Sequence, residues 1–379
     1  MITPETLPLP TGVRSRYVCG TNGLDVHILE AGFEGGPRPL VLLLHGFPEL
    51  GYSWRKVMPA LADAGYHVIA PDQRGYGRTT GWDAAYDGDL QSYHLFNLVR
   101  DALALVAAIG VRQVHAVVGH DFGSPVAAFC ALIRPDVFRS VVLMSAPFGG
   151  VAELPFDTVG RTARPPAPNL HEQLAALSRP RLHYQRYYAS READRDMRLC
   201  PQGLHAFLRA YFHVKSADWP QNAPHPLGAM SAEALATLPG YYVMEMGKGM
   251  AETVALEMPS AEAIAQCAWL PDAELEVYAN EFGRTGFQGA LQWYRSLGTP
   301  SHLAQFNLFS GRRIEVPSWF IAGEKDWGIY QRPGDFEAMQ AGAAADLRGC
   351  HLVAHAGHWV QQEQAEVVGR LLVESLSSV

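Results

Sequence analysis

The sequence predicts an α/β fold: a mainly parallel sheet flanked by helices, interrupted by an inserted, mostly helical lid. Three observations carry this. Short apolar runs alternate with helix-like stretches in two blocks of the chain, before residue 148 and after residue 315. Most are apolar at successive positions, as strands covered by helices on both faces must be. Between the blocks the rhythm disappears for roughly 160 residues, too many for a loop in a compact domain. With 379 residues, 48% of them apolar and 18% charged, the chain is long enough to bury a full core and has globular composition.

The elements follow in order. The runs LDVHILEAG, LVLLLHG, YHVIAPD, VHAVVGHD and SVVLMSAP read as strands before residue 148, and VPSWFIAGEKD and CHLVAHAGH as strands after 315. The middle is helical in pattern, with aromatic, Arg-rich and Ala-rich stretches such as RPRLHYQRYYASREADRDM, PQGLHAFLRAYF and SAEAIAQCAWL. These divisions predict a core in two parts, 1–147 and 308–379, and a lid over 148–307. The lid's entry, GRTARPPAPN, reads as an extended crossing segment, and NAPHPLG as a surface excursion. There is no internal repeat.

Charge and thiols narrow the class. The formal charge is −8, and no Lys/Arg cluster offers a footprint for nucleic acid or anionic lipid. The five cysteines, Cys19, Cys130, Cys200, Cys267 and Cys350, are widely spaced with no C-x-x-C, a pattern of free thiols in a reducing compartment. The opening MITPETLPLPTG has neither a basic nor an apolar signal region. Runs such as Leu40–Leu44 stop far short of the roughly 20 residues that span a bilayer. The expectation is a cytoplasmic protein without nucleic-acid or membrane partners. A homodimer is compatible with the sequence, which specifies no oligomeric state.

The stretch VGHDFGS, residues 118–124, carries the chemistry. An apolar strand ends at Gly119, and an Ala-rich helix begins near Ser124. A sharp strand-to-helix turn needs small residues on either side and exposes its central side chain at a helix N-terminus. That side chain is Asp121. A helix N-terminus favours an ionised carboxylate, and such a carboxylate can attack carbon. The plainer role for Asp121 is a helix N-cap.

The rest of the chain favours the reactive role. Asp326 follows Phe320-Ile321-Ala322 in GEKDWG, and His358 follows the strand CHLVAH in HAGHWV. Asp121, Asp326 and His358 thus each lie just past a strand, in the order nucleophile, acid, histidine of an α/β-hydrolase. Asp326 would orient His358, and His358 would activate water. His351, His355 and His358 also invite a zinc reading, but their segment is strand-like and broken at Gly357, without a chelating helix face. In HGFP, the N–H of Phe47 is placed to pair with that of Phe122 as an oxyanion hole, since Pro48 has no N–H.

Together HGFPELGYSWRKVMPAL, APDQRGYG, VVGHDFG, AGEKD and GHWVQQE resemble the epoxide hydrolases of the α/β-hydrolase superfamily. The resemblance implies a small epoxide as substrate, no cofactor or metal, an aspartate that opens the ring to an ester, and water that hydrolyses the ester to a diol. It also implies two lid tyrosines that protonate the epoxide oxygen, a task for which a phenol of pKa about 10 is suited. One corresponds to Tyr294, in RTGFQGALQWYRS. The other corresponds to Tyr184, in RPRLHYQRYY, with Tyr187, Tyr188, Tyr241 and Tyr242 as competitors; packing is the expected role of Tyr187 and Tyr188. The methionines of YYVMEMGKGM are expected to pack the lid. The lid is longer than the family's usual pattern from Asn222 to about Asp272, which bears on pocket size.

Three alternatives stand beside this reading. A haloalkane or haloacetate dehalogenase uses the same attack but needs donors for halide or carboxylate; Phe122 has none, leaving Trp293, Trp327 and Trp359 as sources. An esterase needs a hydroxyl at the elbow, and Ser124 comes three residues late. A catalytically silent hydrolase fold used for binding would have lost at least one reacting residue.

Overall fold

The structure, a computed structural model, describes residues 6–152, 154 and 169–379. Its strands are β1 (Val13–Thr21), β2 (Leu24–Ala31), β3 (Leu40–Leu44), β4 (His67–Pro71), β5 (Ala116–His120), β6 (Val141–Met144), β7 (Arg181–His183), β8 (Val243–Glu245), β9 (Ile314–Gly323) and β10 (Ala344–Val353). Eight of them form one sheet in the order β1-β2-β4-β3-β5-β6-β9-β10. The pairs β1/β2 and β2/β4 are antiparallel and all others parallel.

The parallel centre explains the continuous apolar runs. Every residue of β3 and β5 is buried, because helices cover both faces. The edge strand β1, VRSRYVCGT, is mostly exposed and has no such run, so the sequence gives no strand signal there. It is held instead by ion pairs from Arg14 and Arg16 to Glu30 of β2, at 2.7 and 2.6 Å.

Between β6 and β9 the described residues are largely helical, with helices at Tyr184–Tyr188, Leu204–Lys215, Asp272–Thr285 and Gln288–Leu297 among them. The helical patterning did not reveal the antiparallel ribbon of β7 and β8, which ties the start of this region to its long middle segment. The ribbon continues into a bond from Tyr184 N–H to the Tyr242 carbonyl at 2.9 Å. The NAPHPLG stretch is irregular and mostly exposed, anchored by buried Asn222. Residues 160–168 of the Pro/Arg-rich entry lie outside the described residues. Met244 and Met250 are buried in the lid, whereas Met246 is exposed. No helix among the described residues is long and apolar enough to cross a membrane.

Candidate active site

The site forms above the C-terminal ends of β3, β5, β9 and β10, which place His45, Asp121, Asp326 and His358 on one rim of the sheet. After β5 the chain turns through Asp121 at φ 51° into the helix Gly123–Ile133. A residue with a side chain rarely adopts this left-handed conformation outside strained functional turns. The turn closes because its neighbours are glycines. A Cβ on Gly119 would lie 2.1 Å from the Gly123 carbonyl oxygen, and one on Gly123 would lie 2.2 Å from that of Leu44. The N-cap of the helix is Phe122, so the Asp121 side chain is not spent on capping.

Asp121 is instead bonded across the rim. Its Oδ1 accepts the Phe47 N–H at 2.9 Å, and its Oδ2 lies 3.2 Å from His358 Nε2, off the line of a hydrogen bond. Burial pushes the carboxyl pKa up, but the neighbouring His358, Lys215 and His120 hold it well below the usual carboxylate range. The Phe122 N–H has no protein acceptor among the described residues. The neighbours of Asp121 thus keep its carboxylate ionised.

His358 is fully buried, with Nδ1 3.0 Å from Asp326 Oδ1. Asp326 also accepts the Gly328 N–H at 2.7 Å, which fixes the carboxylate's orientation. Burial and Lys215 lower the imidazole pKa, but Asp326 and Asp121 outweigh them and it stands above its ordinary value.

Beneath this lies a second buried pair that sequence reasoning missed. His120 Nδ1 contacts Glu49 Oε2 at 2.6 Å and His120 Nε2 contacts the His358 carbonyl at 2.6 Å. Both ring nitrogens of His120 are thereby held in hydrogen bonds. Glu49 also accepts from the Gly46 N–H and from Gln361. Both residues stand within the quoted motifs, in HGFPE and beside Asp121, but their pairing depends on the sheet order.

A cavity of about 490 Å³ opens over Asp121. Asp121, Phe122, Tyr184 and Tyr294 line its inner end; Leu95, Phe129, Val151, Leu303 and Phe306 form apolar walls; Asn307, Gln331 and Arg332 are polar contributors. Both tyrosines are buried, and burial followed by the Asp121 charge pushes both phenols above their ordinary pKa. Their rings lie 6.0 Å apart. The competing tyrosines do not line this cavity. Tyr188 donates to the Tyr211 hydroxyl at 3.0 Å, Tyr241 donates to Asn222 at 2.8 Å, and Tyr187 and Tyr242 are buried in the lid packing.

The long segment from Asn222 to Asp272 departs from expectation. None of its residues lines the cavity, so its length does not set the pocket's shape. It packs beside and outside the site, where Tyr241 and Tyr242 flank Lys215. Two of the three tryptophan donors are occupied. Trp293 Nε1 donates to the Arg74 carbonyl at 2.9 Å and Trp359 Nε1 to that of Phe212 at 2.8 Å, while Trp327 does not line the cavity. His351 lies on β10, His355 is exposed and His358 is buried; no cluster of three or more His, Cys, Asp or Glu able to hold a metal occurs among the described residues.

Comparison with known proteins agrees with this architecture. The α/β-hydrolase fold family profile matches residues 39–209. Epoxide hydrolase B of Mycobacterium tuberculosis is 33% identical over 378 residues, covering 96% of this chain and 98% of the relative. Epoxide hydrolase A of the same organism is 32% identical over 374 residues, covering 97% and 99%. Among solved structures, an epoxide hydrolase from an endophytic Streptomyces superposes with a TM-score of 0.75 at 31% identity, covering 97% of this chain and 96% of that one. Potato (Solanum tuberosum) epoxide hydrolase I superposes at 0.70 with 29% identity, covering 97% and 100%. Similarity this extensive, end to end in both chains, means that this chain belongs to the epoxide hydrolase family of the α/β-hydrolase fold.

Proposed function

We propose that the chain hydrolyses an epoxide to a vicinal diol through an alkyl ester on Asp121, with Tyr294 and Tyr184 as acids and His358 as base. The observation that carries the reading is the cavity itself: an ionised aspartate at one end faces two protonated phenols, with an imidazole 3.2 Å from its second oxygen. A dehalogenase would need N–H donors at that end, where Phe122 contributes a hydrocarbon ring.

In the first step Asp121 attacks a ring carbon, the C–O bond breaks, and the oxygen takes a proton from a tyrosine, leaving a phenolate. The aspartate is now a neutral ester. This removes one of the two negative charges that held the His358 pKa up, so the imidazole becomes a readier acceptor when a base is needed.

In the second step His358 takes a proton from water while the hydroxide oxygen adds to the ester carbonyl carbon. The oxyanion accepts from the N–H groups of Phe47 and Phe122, and Asp326 stabilises the imidazolium. Collapse breaks the bond to the alkyl oxygen, which takes the proton from His358. The carboxylic acid left on Asp121 returns its proton to the phenolate. No step calls on a cofactor, and the apolar walls suit an epoxide with a hydrocarbon body.

Because water adds to the side-chain carbon, its oxygen stays in the enzyme. Multiple turnovers in ¹⁸O water are expected to place heavy oxygen in the Asp121 side chain, read by mass analysis of its peptide. An unlabelled peptide after many turnovers excludes the ester. His358→Gln is expected to consume about one equivalent of epoxide and hold the ester; steady turnover would remove His358 from the role of base.

A further inference from the structure

Lys215 ends the lid helix Leu204–Lys215 and is buried beside the triad, 4% exposed. Its ammonium makes no hydrogen bond or ion pair with a described residue. Four aromatic rings surround it instead, with centroids 5.1 Å (Tyr242), 5.4 Å (Tyr211 and Trp359) and 5.9 Å (Tyr241) from Nζ. Ring faces attract a desolvated cation without neutralising it. Burial lowers the Lys215 pKa below its ordinary value, and the carboxylates of Asp121, Asp326 and Glu49 offset part of that loss in favour of the charged form.

The backbone that carries the cation is tied to the histidine. The Lys215 carbonyl accepts the His358 N–H at 2.8 Å, and a Cβ on Gly357 would lie 2.5 Å from that same carbonyl oxygen. Trp359, one wall of the cage, has its ring 4.7 Å from the His358 ring. The lid thus holds a positive charge against the same Trp359 ring that packs on His358.

We propose that Lys215 is a positioning residue for ester hydrolysis: its caged ammonium keeps His358 neutral, and therefore basic, once Asp121 has been alkylated. This rests on the assignment of His358 as the base. The charged and titratable groups facing the imidazole are Asp326, Asp121, Lys215 and His120, whose ring lies 5.0 Å away with Glu49 paired behind it, and Tyr211, Tyr241 and Tyr242 stand around Lys215. In the free enzyme the two aspartates outweigh Lys215. In the ester Asp121 is neutral, and His120 is bonded to Glu49. What remains is Asp326 drawing a proton onto the ring and Lys215 repelling it.

The test is the pH dependence of ester breakdown in single-turnover experiments on wild type, Lys215→Met and Lys215→Arg. Removing the positive charge raises the His358 pKa, so in Lys215→Met the acid limb should move to higher pH by roughly one unit. Lys215→Arg, which keeps the charge, should leave the limb near its wild-type position. An unmoved limb in Lys215→Met, or an equal displacement in both variants, overturns the proposal. A separate measurement does not depend on turnover: NMR titration of His358 in Asp121→Asn, whose amide stands in for the neutral ester, with and without Lys215→Gln. The imidazole should titrate higher without the lysine, and an unchanged midpoint overturns the proposal as well. Failure of the parent assignment looks different, because the wild-type acid limb would then persist in His358→Gln.

Discussion

The two tyrosines at the mouth of Asp121 are not equivalent donors. The Tyr184 hydroxyl donates to Gln331 Oε1 at 3.1 Å and accepts from Gln185 Nε2 at 3.2 Å. The Gln331 amide is oriented by its other end, Nε2, which lies 3.5 Å from the Gly328 carbonyl. Tyr294 has no hydrogen-bond partner among the described residues and is steadied by the rings of Phe122 and Tyr188 at 5.2 and 5.0 Å. An epoxide oxygen therefore competes with Gln331 for the Tyr184 proton but meets no rival at Tyr294. Tyr294→Phe is predicted to slow alkylation by roughly 10²-fold or more, and Tyr184→Phe by less. Gln331→Leu should then speed alkylation through Tyr184 in the Tyr294→Phe background. Rapid-quench measurement of the ester decides, and an equal loss in both single variants would mean that Gln331 does not hold Tyr184 back. The triad was legible because each member follows an apolar strand run. Gln331, Glu49, His120 and Lys215 were not assigned from sequence, since each acquires its meaning from a partner distant in the chain.

At the scale of elements, what was legible is what lies in the double-covered centre of the sheet. The edge strand β1 is mostly exposed and the lid ribbon's strands are only three residues long, so neither leaves a periodic signal, and they were missed for that reason. The long lid segment was visible, but its distance from the pocket was not, because chain length does not encode where a segment packs. Stability of the rim also depends on contacts beyond pattern. Asp72, just past β4, accepts N–H groups from Gly51 and Arg78 at 2.9 Å each and lies 2.8 Å from His27 Nδ1. Burial pushes its pKa up, but the His27 charge and these bonds bring it down to about 2. A depressed folded-state pKa gives stability that is present above the unfolded value of about 3.9 and lost as pH falls through about 2. Asp72→Asn is therefore predicted to cost about 2 kcal/mol at pH 7, with the gap from wild type narrowing between pH 4 and 2. Urea denaturation across that range measures it, and a gap that stays constant with pH would contradict it.

For the whole molecule, the cavity lies on the seam between sheet and lid, so catalysis depends on how the two halves are held. The helix Asp272–Thr285 makes much of one side of that seam. Glu274 pairs with the buried Arg55 and, at 2.9 Å, with Lys56, and the Tyr278 hydroxyl lies 2.8 Å from Ser53 Oγ. Farther along, Glu281 accepts from Arg78 Nε at 2.7 Å, while Trp293 of the next helix reaches the Arg74 carbonyl. Arg55 is 1% exposed, which makes Glu274 matter more than a surface partner would. Removing one member of a buried pair leaves the other charge desolvated, a penalty far larger than the pair's net attraction. Glu274→Ala is therefore predicted to lower the unfolding free energy by about 3 kcal/mol, and Glu274→Gln, which keeps an acceptor for the guanidinium, by less. Because Arg55 is buried, added salt should not erase the difference, as it would for an exposed bridge. Hydrogen exchange locates the effect: protection should fall in Asp272–Thr285 while β5 and β6 stay protected, whereas a uniform loss across the sheet would show that the pair supports the core rather than the seam.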